Sequence, residues 1–258
     1  LAFLEQYPTL IAERDDLLLE QITLLNQLGR YEEAMSLLDG HIFHPWEGGE
    51  GKVPAQYQYA RVEKAKEMLN TPDSASEKAI ALLEECLIYP HHLGEGKLHG
   101  AQENDFYYFL GCAYEKLGNM ECARECWEKA TSGPTEPVAA MYYNDAKPEK
   151  IFYQGLALQK LGRTDEANGR FYKLVNYGKQ HIFEPQVMDY FAVSLPDLQI
   201  WDGDLNEKNR IHCLFMLALG YTGLGETEKG KRYLHEVEQL DINHQGIMAL
   251  KNLLNNEK

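Results

Sequence analysis

The chain has 258 residues and a formal net charge of −15, which repels a phosphate backbone or an anionic bilayer surface and so argues against nucleic acid or membrane as a partner. Hydrophobic residues make up 44% and charged residues 25%, the composition of an ordinary globular protein, and no apolar run reaches the roughly 18 residues that a membrane helix needs. The five cysteines (Cys86, Cys112, Cys122, Cys126, Cys213) are odd in number and form no CxxC pair; they read as buried thiols in a reducing, cytoplasmic setting.

The chain opens on Leu1-Ala2-Phe3-Leu4-Glu5-Gln6-Tyr7-Pro8, the tail of a helix, which suggests a piece of a longer polypeptide. Apolar spacing then predicts helical hairpins over 13–43, 54–88, 103–132, 148–177 and 206–240, and a last helix near 244–255 that caps the array. Four of the hairpins share one turn: Leu28-Gly29, Leu117-Gly118, Leu161-Gly162 and Leu224-Gly225. A glycine after an apolar helix end supplies the left-handed residue that terminates a helix. Five residues on stands a small residue (Ala34, Ala123, Ala167 or Gly230) that lets two antiparallel helices approach closely. The remaining hairpin keeps Ala79 but turns through Asn70-Thr71-Pro72-Asp73, with Ser74 and Glu77 spaced as a capping box.

The best copy carries Leu110, Gly111, Tyr114, Gly118, Ala123, Trp127 and Ala130, spacings that match the tetratricopeptide signature. Gly155, Gly162, Ala167 and Phe171 repeat it, as do Leu217, Tyr221, Gly225 and Leu234. The expected fold is all-α: a right-handed superhelical solenoid of about five tetratricopeptide-like hairpins, one domain over 1–258. The period is longer than the signature's. Ala34 to Ala79 spans 45 residues, Ala79 to Ala123 and Ala123 to Ala167 span 44 each, and Ala167 to Gly230 spans 63. The extra residues fall between hairpins, near 44–53, 90–102, 133–147 and 178–205, and inserts at one point of a repeat emerge along one edge.

That edge is the candidate site. His44-Pro45-Trp46-Glu47-Gly48-Gly49-Glu50-Gly51-Lys52 and Tyr89-Pro90-His91-His92-Leu93-Gly94-Glu95-Gly96-Lys97 align when shifted by 45 residues. The third insert brings Tyr142 and Tyr143, the fourth Asp197 and Trp201. A phosphate loop is excluded, because neither Gly-Lys has the upstream glycine or the following Ser/Thr. His41 and His44, or His91 and His92, lack cysteine partners at ligand spacing, so no metal is expected; no cofactor is called for either. A saccharide site would stack a sugar on Trp46 or Trp201 and use Glu47, Glu50, Glu95 or Asp197 as hydroxyl acceptors. The plainer reading is that the aromatics pack the loops while Gly and Pro shape them.

The first helix of each hairpin places Leu19, Tyr108, Phe152, Leu156, Phe215 and Leu219 where a concave groove would be lined. These positions are apolar, so a clamp for a terminal carboxylate is disfavoured. The expectation is an apolar docking groove, or one closed by the chain's own inserts.

Within this repeat frame, HPWEGGEGK, YPHHLGEGK and DYFAVSLPDL resemble the C-terminal part of a family of large bacterial proteins. That family joins an N-terminal β-sandwich region, similar to aldose-mutarotase folds, to C-terminal tetratricopeptide repeats. The resemblance covers essentially the whole chain and implies a carbohydrate setting and an upstream partner domain; it supplies no catalytic residues. The function expected is a non-catalytic binding scaffold for another protein or for an upstream domain of the same chain. The alternative is the carbohydrate-binding or accessory half of a larger enzyme. Glu47 and Glu50 on one glycine-rich loop are poor candidates for a hydrolase pair, which needs carboxyls held apart across a cleft.

Overall fold

A computed structural model describes residues 1–46, 48–71, 76–139, 145–187 and 204–255. All regular structure among these residues is helical. Twelve α-helices follow in order: α1 (Pro8–Ala12), α2 (Asp15–Gln27), α3 (Tyr31–Asp39), α4 (Lys52–Asn70), α5 (Ser76–Glu85), α6 (Asn104–Lys116), α7 (Met120–Ala130), α8 (Pro148–Lys160), α9 (Thr164–His181), α10 (Leu205–Gly223), α11 (Thr227–Leu240) and α12 (Gln245–Asn255). Short 3₁₀ turns occupy Leu4–Gln6 and His91–Leu93. The helices fall in pairs where the apolar spacing places them. Ser74, read as a cap, lies outside the described residues, and α5 begins at Ser76.

The four glycine turns are built alike. Gly29, Gly118, Gly162 and Gly225 have φ of 72°, 77°, 76° and 76°. In the first, the Arg30 amide donates to Leu25 O at 2.9 Å and the Gly29 amide to Asn26 O at 3.2 Å. The same pair of bonds recurs from Asn119 to Tyr114 and Gly118 to Glu115, from Arg163 to Leu158 and Gly162 to Gln159, and from Glu226 to Tyr221 and Gly225 to Thr222. This is the Schellman arrangement, which satisfies the last carbonyls of one helix while reversing the chain. The small residue follows at once: the amides of Ala34, Ala167 and Gly230 donate to Arg30, Arg163 and Glu226, opening the second helix.

The chain divides into two compact units, residues 1–101 with 112–120, and residues 102–111 with 121–258. In the first unit the core is Leu18, Leu19, Ile22 and Leu25 of α2, Ala34 and Leu38 of α3, and Val53, Tyr57 and Ala60 of α4. Two insert residues, Phe43 and Leu93, belong to the same core. Helix α4 also buries charge. Arg61 lies over the Tyr57 ring, 3.5 Å from its centroid. It bonds Asp39 at the end of α3 at 2.7 Å and Glu85 at the end of α5 at 2.7 Å. A cation there meets the negative ends of two helices as well as their carboxylates. Asn26 donates to the backbone and side-chain oxygens of Gln56, and Lys116 donates to Leu69 O in the last turn of α4.

In the second unit, bulky rings fill notches left by glycine. Trp127 of α7 lies against Gly111 of α6, and Phe171 of α9 is wedged between Gly155 of α8 and Gly223 of α10. Asn104 donates to Ala130 O and Ser132 O, and Gln154 to Ser132 O and Pro134 O, so two side chains hold the α7–α8 connector. Helix α12 packs on α10 and α11 through Ile247, Leu250 and Leu254, all buried. Helix α9 runs to His181, four residues past the predicted end at 177. Its extra turn is kept helical by packing: Gly178 meets Cys213 O and Leu217 of the long α10.

Five of the six positions read as groove-lining are covered by the chain's own residues. Leu19, Tyr108, Phe152, Phe215 and Leu219 are buried, and only Leu156 is half-buried. Leu19 joins the first core. Tyr108 packs on Phe109 and Tyr153, and Phe152 on Tyr153 and Phe171. Phe215 packs on His244 and Gly246. Large apolar side chains on facing helices satisfied one another and left no open apolar surface at these points.

Candidate functional site

The described site lies in the first unit, where the first two inserts meet. After α3 the chain runs without regular structure from His41 to Trp46. Asp15, the first residue of α2, anchors it. The His41 ring lies 2.6 Å from Asp15 Oδ1, the His44 amide donates to Oδ2 at 2.7 Å, and His44 Nδ1 lies 3.2 Å from Oδ2. Burial raises the Asp15 pKa, but these hydrogen bonds outweigh it and hold the carboxyl below its ordinary value. The two histidines are thereby taken up by a structural carboxylate. Among the described residues no group of three or more candidate ligands converges on a metal position.

The second insert turns through His91–Leu93 and docks on the first. The Phe43 amide donates to His92 O at 2.8 Å. Gly94, at φ 76°, passes so close that a Cβ would fall 2.5 Å from Phe43 O. The Glu95 carboxylate then reaches back to accept the Gly51 amide at 2.8 Å. Gly51, at φ 73°, is the N-cap of α4, so a carboxylate sits at that helix's positive end. Even so, burial lifts the Glu95 pKa; the Gly51 amide draws it down, the Glu50 charge pushes it up again, and the net shift is upward.

Between the inserts lies a cavity of about 330 Å³. Its floor is apolar, formed by Val53 at the start of α4 and Leu93 of the second insert, both 1% exposed. Trp46, Glu50 and Glu95 face it, with His44 and Pro45 at the exposed rim. Gly49 backs the indole: a Cβ there would come within 2.2 Å of the Trp46 ring.

Of the residues singled out on the insert edge, the structure therefore gathers Trp46, Glu50 and Glu95 in one cavity. His91 is exposed on the 3₁₀ turn and outside the lining, and His92 packs edge-on to Tyr57, 3.8 Å from Asp39. Glu47, Tyr142, Tyr143, Asp197 and Trp201 lie outside the described residues. Sequence reasoning missed Asp15, Val53 and Leu93. The signal for Leu93 was present, as one aliphatic residue inside a polar, glycine-rich insert; Asp15 gave none, since its role depends on histidines 26 and 29 residues away.

In the second unit the described part of the third insert is held at its end. The His212 ring donates to Val138 O at 2.9 Å, and burial lowers the His212 pKa against that hydrogen bond. Lys173 bonds Thr135 Oγ1 at 2.9 Å and pairs with Glu136. These contacts tie down a loop.

No helix of the described residues is long and apolar enough to cross a membrane. No solved structure matches the chain. Residues 105–132 match the tetratricopeptide repeat, and the span holds the Gly111–Trp127 contact, the Schellman turn at Gly118 and buried Ala123 and Ala130. The hairpin of α6 and α7 is a tetratricopeptide repeat.

Proposed function

We propose that this chain is a non-catalytic scaffold that binds a protein, either another polypeptide or an upstream domain of its own, in the cytoplasm. The observation that carries the reading is the tetratricopeptide repeat at 105–132, since such repeats generally mediate protein–protein interactions. Three further turns of the same geometry, at Gly29, Gly162 and Gly225, support extending that repeat into one solenoid of about five hairpins over the whole chain.

Site-specific photo-cross-linking from the insert surface in living cells, followed by purification of the captured protein and a calorimetric titration, tests the proposal. A protein that then binds saturably is the expected result. Turnover of a glycoside by the chain itself, or a chain that captures no protein, overturns it.

The second reading, a carbohydrate-binding accessory role, has one observation in its favour: Trp46 shares a cavity with two carboxylates. The charge of that cavity weighs against a neutral sugar.

A further inference from the structure

The cavity between the first two inserts is built for a charge of one sign. Glu50 and Glu95 come to it from different inserts, and no lysine or arginine is among its described lining residues. His44, at the rim, already shares the Asp15 carboxylate. Glu95 is pre-positioned, because the Gly51 amide fixes one carboxylate oxygen at 2.8 Å. Trp46 adds an indole steadied by Gly49. Beneath them Val53 and Leu93 offer aliphatic surface.

Taken together, these features match a side chain with an apolar stem and a cationic head. The stem of lysine or arginine gains from lying on aliphatic surface. The head gains from two carboxylates and from an aromatic face, the latter worth about 0.5–2 kcal/mol. The volume, about 330 Å³, lies at the lower end of the range of small-ligand sites, roughly 300–1,000 Å³; that suits one side chain better than an oligosaccharide. A neutral sugar would leave the mutual repulsion of Glu50 and Glu95 in place, whereas a cation removes it. The net charge of −15 adds long-range attraction for a basic partner.

We infer that the Trp46–Glu50–Glu95 cavity receives an arginine or lysine side chain of the partner polypeptide. The inference rests on the scaffold reading and names the chemistry of the partner's anchor.

The full chain, labelled with ¹⁵N-tryptophan, is titrated at neutral pH with a short glycine–serine peptide carrying one central arginine. The expected result is a saturable shift of the Trp46 indole resonance, at least ten-fold weaker in affinity in the Glu50→Gln, Glu95→Gln double variant. Circular dichroism checks that this variant keeps the wild-type fold; should it not, Glu50→Gln alone, which leaves the Gly51 contact intact, is expected to weaken binding at least three-fold. No shift, an equal shift with norleucine in place of the arginine, or a shift with a neutral oligosaccharide and none with the peptide overturns the inference. A chain that cross-links a protein but fails this titration remains a scaffold without this anchor. A chain that passes it but captures no protein loses the scaffold reading and keeps a site for cationic groups.

Discussion

Trp127 lies so close over Gly111 that a methyl group on Gly111 would fall 2.3 Å from the indole nitrogen. The ring is 1% exposed, so it cannot swing out without leaving a hole. Trp127→Ala is expected to cost about 3–5 kcal/mol, the transfer loss plus the cavity. Gly111→Ala should cost roughly 1–3 kcal/mol by overpacking. Urea titration checks both, and the two should be strongly non-additive. With Trp127 already shortened to Ala, Gly111→Ala should become neutral or stabilising by up to about 1 kcal/mol through helix propensity. Additive losses would mean that the two residues do not share the notch.

The turn glycines act by a different physics. A Cβ on Gly29, Gly118, Gly162 or Gly225 would meet nothing within 4 Å, so space is no obstacle. The obstacle is the positive φ, which costs an ordinary L-residue roughly 1–2 kcal/mol. Each Gly→Ala change should therefore cost that amount, and Gly→Asn less, because asparagine tolerates the left-handed region. Thermal denaturation of the four Ala and four Asn variants would expose an error if Ala proved the milder substitution.

The Arg61 cluster predicts an asymmetry. The Arg61 side chain is 3% exposed, while Asp39 and Glu85 are 48% and 49% exposed. Replacing Arg61 with methionine leaves two carboxylates that water can reach. Replacing both acids with their amides leaves a buried guanidinium without a counter-charge, a situation that costs about 3–5 kcal/mol in comparable pairs. The Asp39→Asn, Glu85→Gln double variant should thus lose more stability than Arg61→Met. Equal losses in chemical denaturation would show that water reaches the guanidinium after all.

Asp15 and Glu95 should pull the pH profile of stability in opposite directions. Asp15 is held below its ordinary value, so the folded state binds fewer protons than the unfolded one in that window. Its contribution is present above the ordinary carboxylate range and is lost as pH falls through the depressed value. Glu95 is raised, so the folded state binds more protons, and stability falls as pH rises from the ordinary range through the raised value. Subtracting the Asp15→Asn profile from the wild-type profile should isolate an acid-side loss; subtracting that of Glu95→Gln should isolate a decline toward neutral pH. Profiles that shift without changing slope would contradict both assignments.

The helix pairs were legible in the sequence because their determinants are local. A glycine at a helix end, a small residue five positions later and apolar spacing of the helical period all lie within one hairpin. The end of α9 was less legible, since it is set by Cys213 and Leu217, far along the chain. The site was half legible. The shift of 45 residues aligned Gly-Glu-Gly-Lys in both inserts and brought out Glu50 and Glu95. Yet the two strings fold differently: Gly94 and Gly51 are left-handed, whereas Gly49 and Gly96, their counterparts in the alignment, are not. The first string runs into the N-terminus of α4 and the second leaves a 3₁₀ turn, so Glu95 caps the helix that follows Glu50. Equivalent residues in a repeat thus become partners. The groove positions were ambiguous in the sequence, because an apolar side chain facing the next helix has the same spacing as one facing a ligand.

Phe43 and Leu93 come from successive inserts yet share one core with α2, α3 and α4. In an array where each hairpin touches only its neighbour through helices, segments can fray one at a time from an end. Here the loops themselves interlock, through apolar contact, the Phe43–His92 hydrogen bond and the Glu95–Gly51 cap. Opening either insert uncovers the other, so hydrogen exchange in α2, α3 and the start of α4 should proceed as a single event with one protection energy. The inserts serve as mortar as well as margin, and the cavity they carry should open only when that shared core opens.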